Sequence, residues 1–171
     1  MTLINIGIAG CLGRMGQELI KEIINNNLTN FSGGFENPQH KNINRKISDL
    51  IDVNTDHIVS NNPIEIFSNS DVIIDFTTPQ STLKNILMAS EQKTPIVVGT
   101  TGLDENILDV IKKSSENIPI LQSSNMSVGL NLLLQLVYKT ASTFKDIDYD
   151  IEIAETHHKH KVDAPSGTAI T

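Results

Sequence analysis

Short apolar runs alternate with amphipathic stretches along most of the chain. Leu3 to Ala9 is a β-branched apolar run, which predicts a buried strand. Gly10, Gly13 and Gly16 follow. Met15, Leu19, Ile20, Ile23 and Ile24 then recur at helical spacing around Gln17, Glu18, Lys21 and Glu22, and this helix ends in the Asn25-Asn26-Asn27 run. Phe31 to Glu36 reads as a second strand, weakened by its two glycines, and Asp71 to Phe76 as a clearly buried one. Pro79 to Gln92 predicts a helix with proline in its first turn. A strand over Pro95 to Gly99, a helix from about Asp104 to Glu116 and a short strand over Ile118 to Leu121 complete the series. Strands alternating with helices in this way indicate βαβ units and a mostly parallel sheet. Pro38 to Asn69 is polar and irregular and predicts only weak elements.

After Asn125 the character changes. Val128 to Phe144 predicts a long apolar helix with Leu130, Leu133, Leu134, Val137 and Ala141 on one side. Asp148 to Ala154 predicts a strand, with Ile151 and Ile153 alternating against Glu152. A histidine-rich polar segment then runs into Asp163-Ala164-Pro165-Ser166-Gly167-Thr168, where a further helix starts. No internal repeat is present. A domain boundary therefore falls near residue 125, and the second domain reads as unfinished.

Composition narrows the class. The chain has 171 residues, 39% hydrophobic and 19% charged, which is globular and excludes disordered, collagen-like and coiled-coil readings. Its 13 basic and 20 acidic side chains give a net charge of −7, which argues against nucleic acid as a partner. No apolar run approaches the ~20 residues that span a bilayer, so no membrane partner is expected. The start of the chain has no basic n-region, so no signal peptide is expected. The single cysteine, Cys11, excludes an internal disulfide framework and favours a reducing, cytoplasmic location. The load of Asn and Ile reads as an AT-rich base composition, with Asn25-Asn26-Asn27 and Asn61-Asn62 as loop filler.

Three constellations carry chemistry. Gly10-Cys11-Leu12-Gly13-Arg14-Met15-Gly16 lies between the first strand and first helix, where glycines let backbone approach a pyrophosphate on the helix N-terminus. Leu12 holds the position of the second glycine in the strict fingerprint. Glu36, at the end of the next strand, would accept hydrogen bonds from an adenosine ribose. The bland alternative is a plain glycine turn with Glu36 as a surface charge. Gly99-Thr100-Thr101-Gly102 follows a strand's carboxyl end, where ligands of open α/β sheets lie, but threonines there could equally cap a helix. The third constellation is Glu155 to Thr168. Its histidines and lysines concentrate proton donors, and Ser166, Gly167 and Thr168 sit where amides and hydroxyls can hold a carboxylate. Together they point to an acidic small-molecule substrate. His157, His158 and His160 could also be a metal-ligand set, but Lys159 and Lys161 place positive charge beside any cation, and no metal is expected. A solvated polar loop is the remaining alternative.

These segments, with Asp75-Phe76-Thr77 and Asn125-Met126-Ser127-Val128-Gly129-Leu130-Asn131, resemble the 4-hydroxy-tetrahydrodipicolinate reductase family of lysine and diaminopimelate biosynthesis. The resemblance implies an α/β chain: a Rossmann-type doubly wound, mostly parallel sheet over 1–125 binds the dinucleotide. An incomplete α+β substrate domain follows over 126–171. It implies NADH or NADPH on Gly10, Cys11, Leu12, Gly13, Arg14 and Met15, with Glu36 on the ribose. Gly99, Thr100, Thr101, Ser123, Ser124, Asn125 and Met126 would line the nicotinamide. His157 is the implied proton donor and acceptor, and Lys161 the implied proton donor. Thr101, His158, Lys161, Ser166, Gly167 and Thr168 would hold a small dicarboxylate substrate. The cyclic hydroxy-imine would lose water and take up hydride, and Lys161 or His157 would then protonate the enamine-like intermediate.

Two departures stand out. Members that use the phosphorylated cofactor often have arginine directly after the strand-2 acid, where this chain has Asn37, with Lys41 and Arg45 beyond. NADH is therefore expected to serve at least as well as NADPH. The family is also longer, with a homotetramer built largely through the substrate-domain sheet. This chain is accordingly the first two-thirds of an enzyme, a nucleotide-binding remnant without turnover, or an unstable fragment. A histidine-cluster metal or regulatory module, and a dehydrogenase for another acidic substrate, are the rival readings.

Overall fold

The computed structural model describes residues 2–145, 149–157, 159 and 164–170. The chain divides into two compact units, Met1–Gln122 and Ser123–Thr171. In the first, β1 (Ile4–Ala9), α1 (Arg14–Asn25) and β2 (Thr29–Phe35) are followed by a 3₁₀ turn (Ile47–Asp49), β3 (Val59–Ser60) and α2 (Pro63–Ser68). Then come β4 (Val72–Asp75), α3 (Pro79–Gln92), β5 (Ile96–Val98), α4 (Glu105–Ser114) and β6 (Ile120–Gln122). The six strands lie in the order β3-β2-β1-β4-β5-β6, and every neighbouring pair is parallel. The order reverses between β1 and β4, and such a switch point opens a crevice at the carboxyl ends of the strands.

Consecutive side chains on a strand face opposite ways, so a sheet covered on both sides needs apolar residues in succession. Ile8 packs with Ile20 and Ile23 of α1 and with Ile47 and Val59. Its neighbour Ala9 packs on the other side, with Phe67, Ile73, Ile86, Ile96 and Ile107. Phe31 and Phe35, four apart, should share a face, yet they belong to opposite core layers. A register shift explains this: Ile6 pairs with Phe31 but Gly7 pairs with Gly33, so β2 carries one extra residue. Gly33 takes φ +135°, backbone that side chains rarely adopt.

Local signals set the ends of the helices. Thr78 caps α3, accepting from the Ser81 N–H at 3.4 Å, with Pro79 at its first position. Asp104 caps α4, accepting from the Ile107 N–H at 2.9 Å, and Lys112 and Lys113 in its last turn oppose the helix dipole. Asn26 is more than filler, since its Oδ1 accepts the Leu28 N–H at 2.8 Å and turns the chain from α1 into β2.

In the second unit, α5 (Val128–Phe144) starts at Ser127 and α6 (Gly167–Ile170) starts after Ser166. No residue of α5 is buried. Leu130, Leu134 and Ala141 are half-covered, whereas Leu133 and Val137 of the expected apolar side are exposed. The expected strand over 148–154 is corrected: residues 149–154 form no strand, and Asp148 lies outside the described residues. The alternation of Ile151 and Ile153 is strand-like, but a strand needs a bonded neighbour, and among the described residues none pairs with this segment. None of the described helices is long and apolar enough to cross a membrane.

The close approach of β2 to the glycine turn gives a test of the packing. A Cβ on Gly34 would stand 2.5 Å from the Cβ of fully buried Cys11 and 3.0 Å from its Sγ. Gly34→Ala should cost about 1–3 kcal/mol in urea-induced unfolding, the usual range for overpacking.

Candidate functional site

The loop between β1 and α1 lies flat against its own helix because three positions lack side chains. Gly10 takes φ +69°, and a Cβ there would meet Thr77 Cγ2 at 2.7 Å. A Cβ on Gly16 would press into the Gly10 carbonyl and stand 2.9 Å from Cys11 backbone atoms. Gly10 and Cys11 donate their N–H groups to the Phe35 carbonyl at 2.9 and 3.4 Å, and the Gly13 N–H closes the turn onto the Gly10 carbonyl at 3.0 Å. Gly13 is the N-cap of α1 and supplies no capping side chain, whereas α3, α4 and α5 are capped by Thr78, Asp104 and Ser127. The first-turn donors of α1 thus have no side-chain acceptor of the usual kind.

Glu36 stands directly after β2, and its Oε1 accepts the Leu12 N–H at 2.8 Å. One carboxylate oxygen therefore fixes the glycine loop. Burial, with the Glu36 charge as a second cause, pushes the Cys11 thiol up to about 12, so it is neutral and unreactive at physiological pH. Cys11 can serve a ligand only through its backbone, and Leu12 packs against the core. Arg14 and Met15 are exposed at the start of α1.

A cleft of about 670 Å³ opens beside this loop. It is lined by Gly10, Gly13, Phe35, Glu36, Asn37 and Pro38, by Pro63, and by Phe76, Thr77, Thr78, Gln80, Ser81, Lys84, Asn85 and Met88. Beside it lies a buried polar network. Asp75, with no exposed surface, accepts at Oδ1 from the Thr77 N–H at 2.9 Å and Thr77 Oγ1 at 2.6 Å, and at Oδ2 from Asn85 Nδ2 at 2.9 Å. Thr100 Oγ1 accepts from Thr82 Oγ1 at 2.8 Å and from the Thr77 N–H at 3.0 Å. Thr100 is therefore no helix cap, since α4 uses Asp104 instead. The Phe76 ring packs so closely on Gly99 that a Cβ there would collide with it. Thr101 is exposed.

In the second unit the Glu155 carboxylate gathers three donors. Ser166 donates its N–H at 2.8 Å and its Oγ, and His157 Nε2 lies 2.8 Å away. The Ser166 hydroxyl first, then His157 and the Ser166 amide, hold this carboxyl at about 2, against an ordinary 4.5. Ser166 is buried, and Gly167 and Thr168 open α6. Ser123 Oγ donates to the Asn125 carbonyl at 2.8 Å, and Asn125 Oδ1 accepts the Ser127 N–H at 2.8 Å, while Ser124 and Met126 are exposed. His158 and Lys161 lie outside the described residues, as does His160 of the candidate metal set. Among the described residues no group of three histidine, cysteine or acidic side chains is placed to hold a metal ion.

The structure brings Gly10, Gly13 and Glu36 onto one cleft and puts Glu155 against His157 and Ser166. The roles of Asn85 and Thr82 could not be read from the sequence, because their partners Asp75 and Thr100 come from other segments. Glu155 stands two residues before His157, an alternate-position spacing that could have flagged it.

A six-stranded parallel sheet in this order, with a glycine turn and a strand-2 acid at its switch point, defines a Rossmann-type nucleotide-binding fold. Family models described as dihydrodipicolinate reductase, N-terminus, and dihydrodipicolinate reductase, C-terminus, match residues 4–126 and 129–171. The chain belongs to the dihydrodipicolinate reductase family. It is 44% identical over 171 residues to the 4-hydroxy-tetrahydrodipicolinate reductase of Pelagibacter ubique, covering 99% of this chain and 62% of that protein. It is 42% identical over 167 residues to that of Wolbachia sp. subsp. Drosophila simulans, covering 98% and 62%. The chain thus spans about 62% of the length of these curated relatives. The solved structure of dipicolinate-bound dihydrodipicolinate reductase from Paenisporosarcina sp. TG-14 is similar with a TM-score of 0.78 at 26% identity, covering 99% of this chain and 63% of that one. Aspartate semialdehyde dehydrogenase with NADP from Candida albicans shares the fold, with a TM-score of 0.59 at 12% identity over 84% of this chain and 48% of that one.

Asp75→Asn sets one amide against the Asn85 amide, so a buried donor loses its acceptor at a cost of about 1–3 kcal/mol. Adding Asn85→Asp restores a donor–acceptor pair, and the double variant should recover part of that loss in chemical denaturation. For Glu155 the folded pKa is depressed, so its ties to Ser166 and His157 are fully present above 4.5 and fade as pH falls toward 2. Carboxyl-carbon NMR should show Glu155 titrating near 2, and Ser166→Ala should move it back toward 4.5.

Proposed function

We propose that this chain carries the nucleotide-binding and acid-holding parts of a 4-hydroxy-tetrahydrodipicolinate reductase. The observation that weighs most is the α1 N-terminus without a side-chain cap, behind a turn with no room for side chains and with Glu36 fixed beside it. That arrangement fits a dinucleotide: the free donors suit a pyrophosphate, and the remaining Glu36 oxygen suits a ribose hydroxyl. When bound, the reduced nicotinamide supplies the hydride. Arg14 adds positive charge at the pyrophosphate. Gly99, Thr100 and Thr101, at the carboxyl end of β5, are the residues for the nicotinamide end, and Asp75 keeps Thr100 from turning.

In the second unit His157 is the proposed proton donor. Glu155 accepts from Nε2, which leaves Nδ1 to carry the exchangeable proton. Both Ser166 donors are committed to Glu155, so Ser166 shapes the turn while Gly167 and Thr168 meet a substrate carboxylate. His158 and Lys161 complete the proposed set, the lysine as proton donor and as counter-charge for a dicarboxylate. The exposed apolar side chains of α5 favour a second reading, nucleotide binding without turnover.

Fluorescence titration of the full chain should show NADH binding. Glu36→Ala should weaken it at least about tenfold, since hydrogen bonds to a charged group contribute about 1.5–3 kcal/mol. With substrate generated from pyruvate and aspartate semialdehyde, NADH oxidation that Lys161→Ala abolishes is the outcome expected of the reductase. Binding with no oxidation selects the second reading.

A further inference from the structure

The cleft of the first unit is lined by one acidic and one basic side chain among the described residues, Glu36 and Lys84. Glu36 stands at the end of β2, with Oε1 held by the Leu12 N–H at 2.8 Å. Ser81, Lys84 and Met88, three and four positions apart on α3 and so on one helix face, line the same cleft. Lys84 is the one cationic side chain among the described residues that line this cleft. It is exposed and, among the described residues, pairs with no carboxylate. The two cations that the sequence offered after Asn37 are placed elsewhere. Lys41 and Arg45 do not line the cleft, and Arg45 Nη1 turns to Asn42 Oδ1 at 3.4 Å.

The Glu36 carboxylate suits a ribose diol, whose hydroxyls can donate to it. A phosphate ester on the same ribose carries about −1.5 to −2 charge at neutral pH and has little to donate. It meets the Glu36 charge as a repulsion and needs a cation of its own. We infer that Lys84 is that cation. The cleft accepts both forms of the nucleotide, with Glu36 holding the free ribose and Lys84 the 2′-phosphate. This inference rests on the nucleotide-binding reading above. A lysine suits the task because its flexible stem delivers a point charge without a fixed approach. Its exposure keeps the gain modest and makes it sensitive to salt.

The test measures dissociation constants of the full chain for NADH and NADPH, at low and high ionic strength, in the wild type, Lys84→Ala and Lys84→Arg. Adenosine 2′,5′-bisphosphate against adenosine 5′-monophosphate isolates the same phosphate. Lys84→Ala should weaken NADPH and the bisphosphate about fivefold at low salt, with NADH and the monophosphate changed by less than about twofold. Lys84→Arg should keep the wild-type ratio, and high salt should shrink the difference. An NADPH-to-NADH ratio unchanged in Lys84→Ala overturns the assignment of Lys84 and leaves the nucleotide site standing. A wild-type chain that binds neither nucleotide overturns both.

Discussion

A carboxylate shut away from water with no cation beside it must be satisfied by neutral donors, and at the end of β4 this requirement fixes three elements at once. Asp75 draws the backbone and hydroxyl of Thr77 onto one oxygen and the Asn85 amide of α3 onto the other. Thr100, at the end of β5, enters the same network through Thr77 and Thr82. Leaving the charge unpaired would cost several kcal/mol, whereas each bond to it returns about 1.5–3 kcal/mol. The loops after β4 and β5 and the first turns of α3 are therefore locked together before any ligand arrives. Such fully satisfied networks stiffen the backbone around them.

The other half of the cleft uses the opposite device, the removal of side chains. Glycines at 10, 13 and 16 bring the loop down onto α1, and Glu36 holds the loop's outer edge by a single amide. Rigid polar bonding on one flank and bare backbone on the other leave a ligand little to reorganise. In the second unit, Glu155 bonds the Ser166 turn as well as the histidine two residues further along its own segment.

Most of the first unit was legible because its strands are continuous apolar runs bounded by turn residues; α3 begins at the expected proline and ends at the expected glutamine. The stretch from 38 to 69 was not. It contributes Ile47, Ile51, Val59, Ile66 and Phe67 to the core as scattered positions, through a three-residue turn, a two-residue strand and a six-residue helix. None of these is long enough to show a period. Residues 149–154 erred in the other direction, since alternation is a property of one strand while pairing belongs to two. The glycine turn and Glu36 were visible because local spacing carries them. Asn85 looks like an ordinary polar helix position until Asp75 of β4 is set beside it.

The all-parallel sheet also dictates an order of assembly. Asn5, the second residue of β1, donates its N–H to Asp71 at the threshold of β4, a partner 66 positions later. At about 5–20 residues per second, synthesis delivers that partner roughly 3 to 13 s after β1 itself, a gap far longer than helix formation needs. Through that interval the edge of β1 that later takes β4 stands open. The first strand to be made thus waits for the fourth to cover its open edge, and its exposure to chaperones or to neighbouring chains through that wait is set by translation speed.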